Sequence, residues 1–114
     1  MKNTINQTSR IEKSHFIKIS ATVCSVQDVL SRCTKEKREE LKNFSKCLKD
    51  IYSEAGKENP DTDFMKKLFE GVKEGYKTID NLMVQGGPSS TALSVLKESA
   101  RTLYSLMETY INHL

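Results

Sequence analysis

Residues 91–114, TALSVLKESARTLYSLMETYINHL, carry the clearest structural signal in this chain of 114 residues. Apolar side chains recur there in steps of three and four residues, the spacing that lines one face of an α-helix. The stripe consists of Leu93, Leu96, Ala100, Leu103, Met107, Tyr110 and Leu114. Because such a face needs another apolar surface to pack against, the stretch predicts an amphipathic helix in a multi-helix core.

Three earlier segments show the same period. One helix is predicted over about 11–33 and a second over about 35–55. A third begins at a cap formed by Asn59 or Asp61 and stops at Gly86. Their stripes are Ile19, Val23, Val26, Leu30 and Cys33; Leu41, Phe44, Leu48, Ile51 and Ala55; and Met65, Leu68, Val72, Tyr76, Ile79 and Met83. No segment alternates as a strand does, so the predicted fold class is all-α.

Short connections join the four predicted helices, and this arrangement produces an antiparallel up-down four-helix bundle. The first boundary lies near Thr34, a residue type that caps helices, but neither Gly nor Pro marks it. A three-helix bundle with one long bent first helix is therefore the alternative. Residues 1–10 are polar and are predicted to be a flexible N-terminal arm, and residues 11–114 are predicted to form one domain.

Two glycines, Gly71 and Gly75, lie four residues apart in the third predicted helix. Each one costs about 0.5–1 kcal/mol relative to alanine in a helix. Two such residues on one face indicate that something offsets their cost. We expect a neighbouring helix to pack closely against that face.

The corner between the third and fourth helices reads GGPSST over residues 86–91. In an up-down bundle it lies at the same end as the cations of the first corner, and a helix N-terminus attracts anions. The stretch lacks the GxxxxGK[ST] frame of a phosphate-binding loop, so a plain helix corner is the main interpretation. The alternative is an anion or phosphate site. Its candidate residues are Lys35, Lys37, Arg38, Ser89, Ser90 and Thr91.

Composition narrows the class of function. Lys and Arg number 18 against 15 Asp and Glu, and the net charge of +3 is too small to indicate nucleic-acid binding. Lysines and glutamates are interleaved after residue 34, a pattern typical of a solvated, salt-bridged face. No nucleophile, base or metal-ligand set stands out, so we expect no enzyme, no cofactor and no metal. The cysteine spacing matches no zinc motif and indicates reduced thiols.

The first and last predicted helices carry fewer charges than the second and third. Charge depletion combined with exposed apolar side chains is typical of the core of a protein interface. Deeper burial of both helices is the alternative explanation. The predicted partner-binding residues on this face are Phe16, Ile17, Ala21, Cys24, Val95, Tyr104, Leu106 and Ile111.

These features favour a small non-catalytic protein-interaction module that docks onto another protein or its own copy. Candidate roles are a secretion chaperone, an immunity protein, an adaptor, or a microbial or viral effector. The first ten residues lack the apolar region of a signal peptide, so we expect a cytoplasmic protein or one delivered into a host cytosol. A different alternative is a membrane-interacting bundle. Its third helix would insert Phe64, Met65, Phe69 and Met83 into a bilayer interface.

Overall fold

The computed structural model describes residues 12–85 and 91–114, in which the chain forms five α-helices and no strand. They are α1 (Lys13–Ser31), α2 (Lys35–Glu40), α3 (Lys42–Ala55), α4 (Thr62–Gln85) and α5 (Thr91–Asn112). The predicted all-α class is confirmed. The predicted arm and residues 86–90, including Ser89 and Ser90, lie outside the described residues.

The four long helices form a ring around one core. α1 packs against α3 and α5, and α4 packs against the same two helices. Each long helix therefore contacts its neighbours in sequence, and the first contacts the last, as an up-down bundle requires. The predicted stripes supply the core: Ile19, Val23, Leu48, Ile51 and Leu103 are among the side chains with no exposed surface.

The boundary between α1 and α2 is a true break in the helix. Thr34 is extended, with φ −64° and ψ 160°, and its Oγ1 accepts a hydrogen bond from the Lys37 N–H at 3.4 Å. Thr34 is therefore the N-cap, as its residue type suggested. The alternative of one long bent first helix is wrong, because an extended residue interrupts the helical backbone.

The predicted second helix is divided in two. Leu41 separates α2 from α3, with φ −105° and ψ 18°. Its N–H is shared between the carbonyl oxygens of Lys37 and Arg38 at 3.1 and 3.2 Å, which marks a local tightening of the turn. The Leu41 side chain is buried, so the core stripe continues across the interruption.

The predicted stripe of the last helix is correct as far as Tyr110 and wrong at Leu114. α5 ends at Asn112, and the N–H groups of His113 and Leu114 donate to the carbonyls of Tyr110 and Ile111, both at 3.1 Å. This tighter turn takes Leu114 off the helical stripe, and its side chain is 56% exposed. The heptad pattern therefore stops one step before the end of the sequence.

The predicted close approach at the two glycines is confirmed. A Cβ added to Gly71 would lie 2.7 Å from the Cys47 Sγ, and a Cβ added to Gly75 would overlap the ring of Phe44. The Cys47 thiol also donates to the carbonyl oxygen of Leu68 at 3.2 Å. Side chains of α3 thus occupy the space that the glycines leave on α4.

A buried carboxylate organises the connection between α3 and α4. Glu54 is 3% exposed, and it accepts the backbone N–H of Asp61 at 2.7 Å and the ammonium of Lys57 at 2.9 Å. The Asp61 Oδ1 in turn accepts the Phe64 N–H at 3.1 Å. Of the two predicted caps, Asn59 and Asp61, it is therefore Asp61 that caps α4.

Glu54 should make the stability of the bundle depend on pH. The hydrogen bond from the Asp61 N–H, with Lys57 assisting, holds the pKa of Glu54 below its usual value despite burial. A folded pKa below the unfolded value of about 4.3 adds stability above that pH, and this stability is lost as pH falls through the folded pKa. We expect Glu54→Gln to lower the free energy of unfolding by about 1–2 kcal/mol at neutral pH.

Urea denaturation at several pH values checks this expectation. The stability gap between wild type and Glu54→Gln should narrow on acidification from about pH 6 to about pH 3. The exposed neighbour Glu58, changed to glutamine, is the matched control and should follow wild type. A gap that stays constant across the pH range would contradict the assigned role.

No described helix has the length and apolarity needed to cross a membrane. The membrane alternative relied on four side chains of α4. Met65 and Phe69 are buried in the core, Met83 is half-buried, and Phe64 is 37% exposed. Insertion of this set into a bilayer interface would therefore require the bundle to open first.

Candidate binding surface

The outer face of α1 carries a stripe of exposed apolar side chains. Ile17 is 63% exposed, and Ala21 and Cys24 are exposed as well. The three positions step by four and three residues, so they share one side of the helix. Residues 19–27 of this helix contain no charged residue. We call Ile17, Ala21 and Cys24 the α1 stripe.

The neighbouring flank of α5 contributes less exposed surface than predicted. Val95 is 44% exposed, but Leu106 is half-buried against the core. The His15 Nε2 lies 2.8 Å from the Leu106 carbonyl oxygen, and because a carbonyl only accepts, Nε2–H is the donor. The ring of Phe16 is half-buried and meets Tyr110 edge-on, with centroids 5.1 Å apart. His15 and Phe16 therefore tie the start of α1 to α5.

Two of the predicted partner-binding residues lie on a different flank of α5. The Tyr104 ring makes edge-on contacts with Phe69 at 5.4 Å and Tyr76 at 6.0 Å, both in α4. Ile111 follows Tyr104 by seven residues, nearly two full turns, and is half-buried on the same flank. The structure does not bring Tyr104 and Ile111 together with the α1 stripe.

A groove of about 510 Å³ runs between α1 and the α2–α3 segment. Its cations are Arg38, Lys42, Lys46 and Lys49, spaced by four, four and three residues, and neutral groups such as Gln27 of α1 line the opposite wall. No carboxylate lines this groove. Within residues 12–85 and 91–114, none of the four cations forms an ion pair. We call it the α1–α3 groove.

The sequence interpretation of these lysines as part of a salt-bridged face is wrong for the described part of the chain. Lys42, Lys46 and Lys49 line one groove and have no acidic partner there. The helical spacing of these lysines is present in the sequence. A count of cations against anions ignores that spacing. Phase along the helix, and not the charge count, identifies this groove.

The two carboxylates of α3, Asp50 and Glu54, do not line the α1–α3 groove. Asp50 is close enough to Cys47 to add to the rise in the pKa of that thiol, and Cys47 contacts Leu68 of α4. Glu54 is engaged by the α3–α4 connection. α3 therefore presents its three lysines to the α1–α3 groove, whereas Glu54 is held at the α3–α4 connection.

The candidate anion site at the 86–91 corner is only partly described. Thr91 is the exposed first residue of α5, and Lys35 is exposed at the start of α2. Burial raises the pKa of Cys33, and Lys37 and Arg38 lie close enough to oppose that rise. Of the three predicted cations, Arg38 lines the α1–α3 groove.

A pocket of about 430 Å³ opens at the opposite end of the bundle. Phe16 of α1 and Ala55 of α3 both line it, so the start of α1 lies beside the end of α3. Lys57 and Glu58 also line the pocket. With Lys13 also in the lining, the pocket carries charges of both signs.

The three thiols are free and lie at different depths. Cys24 is exposed, whereas Cys33 and Cys47 are buried. Burial, with Asp50 adding, raises the pKa of Cys47 to about 11, and burial also raises the pKa of Cys33. Protonated buried thiols are poor nucleophiles and poor metal ligands. Among the described residues, no cluster of three His, Cys, Asp or Glu side chains is placed to hold a metal ion.

Comparison with known proteins adds no functional assignment. No protein family, curated protein or solved structure matches the chain. Function is therefore inferred from the two surfaces just described, the α1 stripe and the α1–α3 groove.

Proposed function

We propose that this protein is a small non-catalytic protein-binding module that docks through the outer face of α1. The observation that carries the proposal is the 63% exposure of Ile17, which shares one side of α1 with the exposed residues Ala21 and Cys24. The charged residues on that side, Lys13 and Asp28, lie one turn beyond the two ends of the α1 stripe. On α5, Val95 is a further exposed apolar side chain. The three free thiols support a reducing compartment such as the cytosol.

The isolated bundle gains little stability from these exposed groups. Full burial of one isoleucine side chain is worth about 1.5–3 kcal/mol, and Ile17 forgoes most of that gain in the isolated bundle. Isolated exposed apolar residues are common on protein surfaces. An aligned, charge-free set on one helix is instead typical of an anchor that enters a partner.

Ile17→Asp should abolish docking and leave the fold intact. The side chain is already in water, so the thermal midpoint should stay within about 2 °C of wild type. The matched control is Val84→Asp, the same type of change at an 85% exposed site on α4. Leu106 is less suited to this test, since it packs against the core and its change would also affect stability.

Light scattering over a concentration series comes first, because it shows whether a second copy occupies the stripe. A dimer that Ile17→Asp converts to a monomer would assign the stripe to self-association. If the wild-type protein is a monomer, the next experiment is to capture partners from an extract of the native cells. Capture by Val84→Asp and not by Ile17→Asp supports the proposal, and equal capture by both variants would refute it.

A further inference from the structure

Cations of α2 and α3 are concentrated in one groove. The three lysines of α3 and Arg38 line the α1–α3 groove, and no carboxylate lines it. Like charges four residues apart repel one another on a helix. No ion pair within the described residues offsets that repulsion, so the four cations remain available to an external anion.

Beyond the groove, exposed apolar side chains lie on the two helices that form its walls. On α1, Ser31 lines the groove, and Cys24 and Ile17 precede it at intervals of seven residues on nearly the same side of the helix. On α3, Tyr52 follows the lining residue Ser45 by seven residues and is 51% exposed. Because α1 and α3 are antiparallel, Ile17 and Tyr52 lie toward the same end.

We propose that the α1–α3 groove binds an acidic helical segment of another protein. Its carboxylates would face the cations from Arg38 to Lys49, which extend over about 16 Å, or three helical turns. One large apolar side chain of the segment would lie between Ile17 and Tyr52. This inference rests on the proposed docking function, and it names the chemistry of the partner.

The geometry favours a protein segment over other anionic partners. The cations follow one helix at turn-by-turn spacing, which matches carboxylates at positions i and i+4 of a facing helix. Exposed apolar side chains, Ile17 and Tyr52, lie on the same two helices as the groove walls, and an amphipathic helix carries both acidic and apolar side chains. The net charge of +3 is low for a nucleic-acid-binding protein, and a flat bilayer contacts convex faces more readily than a groove.

Charge reversal in the full-length protein tests the inference. The probe is a fluorescently labelled synthetic helix with glutamates four residues apart and one leucine near its end. We expect Lys42→Glu/Lys46→Glu to raise its Kd at least about tenfold, and wild-type binding to weaken from about 50 to about 300 mM salt. The matched control is Lys66→Glu/Lys67→Glu, with the same charge change at exposed, unpaired sites of α4.

Three results would overturn the proposal. Equal losses in both double variants would mean that net charge alone attracts the probe. Equal affinity for a glutamine version of the peptide would remove the requirement for acid. Tighter binding of duplex DNA or of anionic lipid vesicles, lost in Lys42→Glu/Lys46→Glu, would assign the groove to that partner. Should the glutamate variant fail to fold, Lys42→Ala/Lys46→Ala replaces it.

The proposed function and this inference can fail separately. If Ile17→Asp loses its partner while Lys42→Glu/Lys46→Glu retains it, docking through α1 stands and the acidic partner is wrong. If the charge reversal abolishes peptide binding while Ile17→Asp binds as wild type, the groove stands and the α1 stripe is not its anchor.

Discussion

Replacing Leu103 by aspartate should leave the protein unfolded at room temperature. Leu103 has no exposed surface and lies on the core stripe of α5. An unpaired carboxylate at such a site costs several kcal/mol in addition to the lost apolar contacts. Domains are stable by only about 5–15 kcal/mol, so this one change removes most or all of the margin. Far-UV circular dichroism should show no cooperative thermal transition.

Two further variants separate charge from position. Leu103→Ala should lower the free energy of unfolding by about 2–5 kcal/mol and still fold, because it leaves a cavity without a buried charge. Ser105→Asp introduces the same carboxylate at an exposed site of α5 and should melt like wild type. A cooperative melt of Leu103→Asp close to that of wild type would show that the core stripe is misphased.

Gly75→Ala should destabilise the bundle although alanine is the better helix former. On an open helix surface the change would add about 1 kcal/mol of stability. Here the new methyl group overlaps the Phe44 ring, and overpacking of this kind costs about 1–3 kcal/mol. The sign of the effect therefore reports whether α3 and α4 approach as closely as described. Urea denaturation measures it directly.

A second substitution tests the cause. In the Gly75→Ala background, Phe44→Leu should cost less than it does in wild type, since the smaller side chain relieves the overlap. Gly56→Ala is the control, because its Cβ would make only ordinary contacts, with the Tyr52 carbonyl oxygen at 3.5 Å the nearest, and its φ is −83°. Strictly additive effects of the two substitutions would argue against contact between these positions.

Periodicity predicted the core well because burial in a bundle follows the helical repeat. The same property hid the interruption at Leu41. Its side chain is buried on the expected face, so the apolar stripe gives no sign that the backbone turns more tightly there. The prediction that Leu114 belongs to the core stripe is wrong for a different reason. Its position fits the heptad, but the helical backbone ends at Asn112 before reaching it.

The binding surface was harder to predict, since exposure depends on which neighbour each flank meets. Ile17 and Tyr104 both lie off their core stripes, yet Ile17 faces solvent and Tyr104 meets Phe69 of α4. One-helix periodicity does not distinguish these cases. A charge balance over a whole segment does not reveal the α1–α3 groove, because its cations are distinguished only by their spacing along one helix flank.

The close approach of α3 and α4 also limits how the sequence can diverge. Phe44 and Cys47 fill the space left by Gly71 and Gly75, so a larger residue at either glycine position requires a smaller one on α3. A descendant with a larger residue at position 75 needs a smaller one at position 44. We therefore expect the paired pattern F-x-x-C and G-x-x-x-G to survive divergence longer than the apolar heptads, whose members tolerate volume-conserving apolar exchanges, and it is a feature by which distant relatives could be recognised.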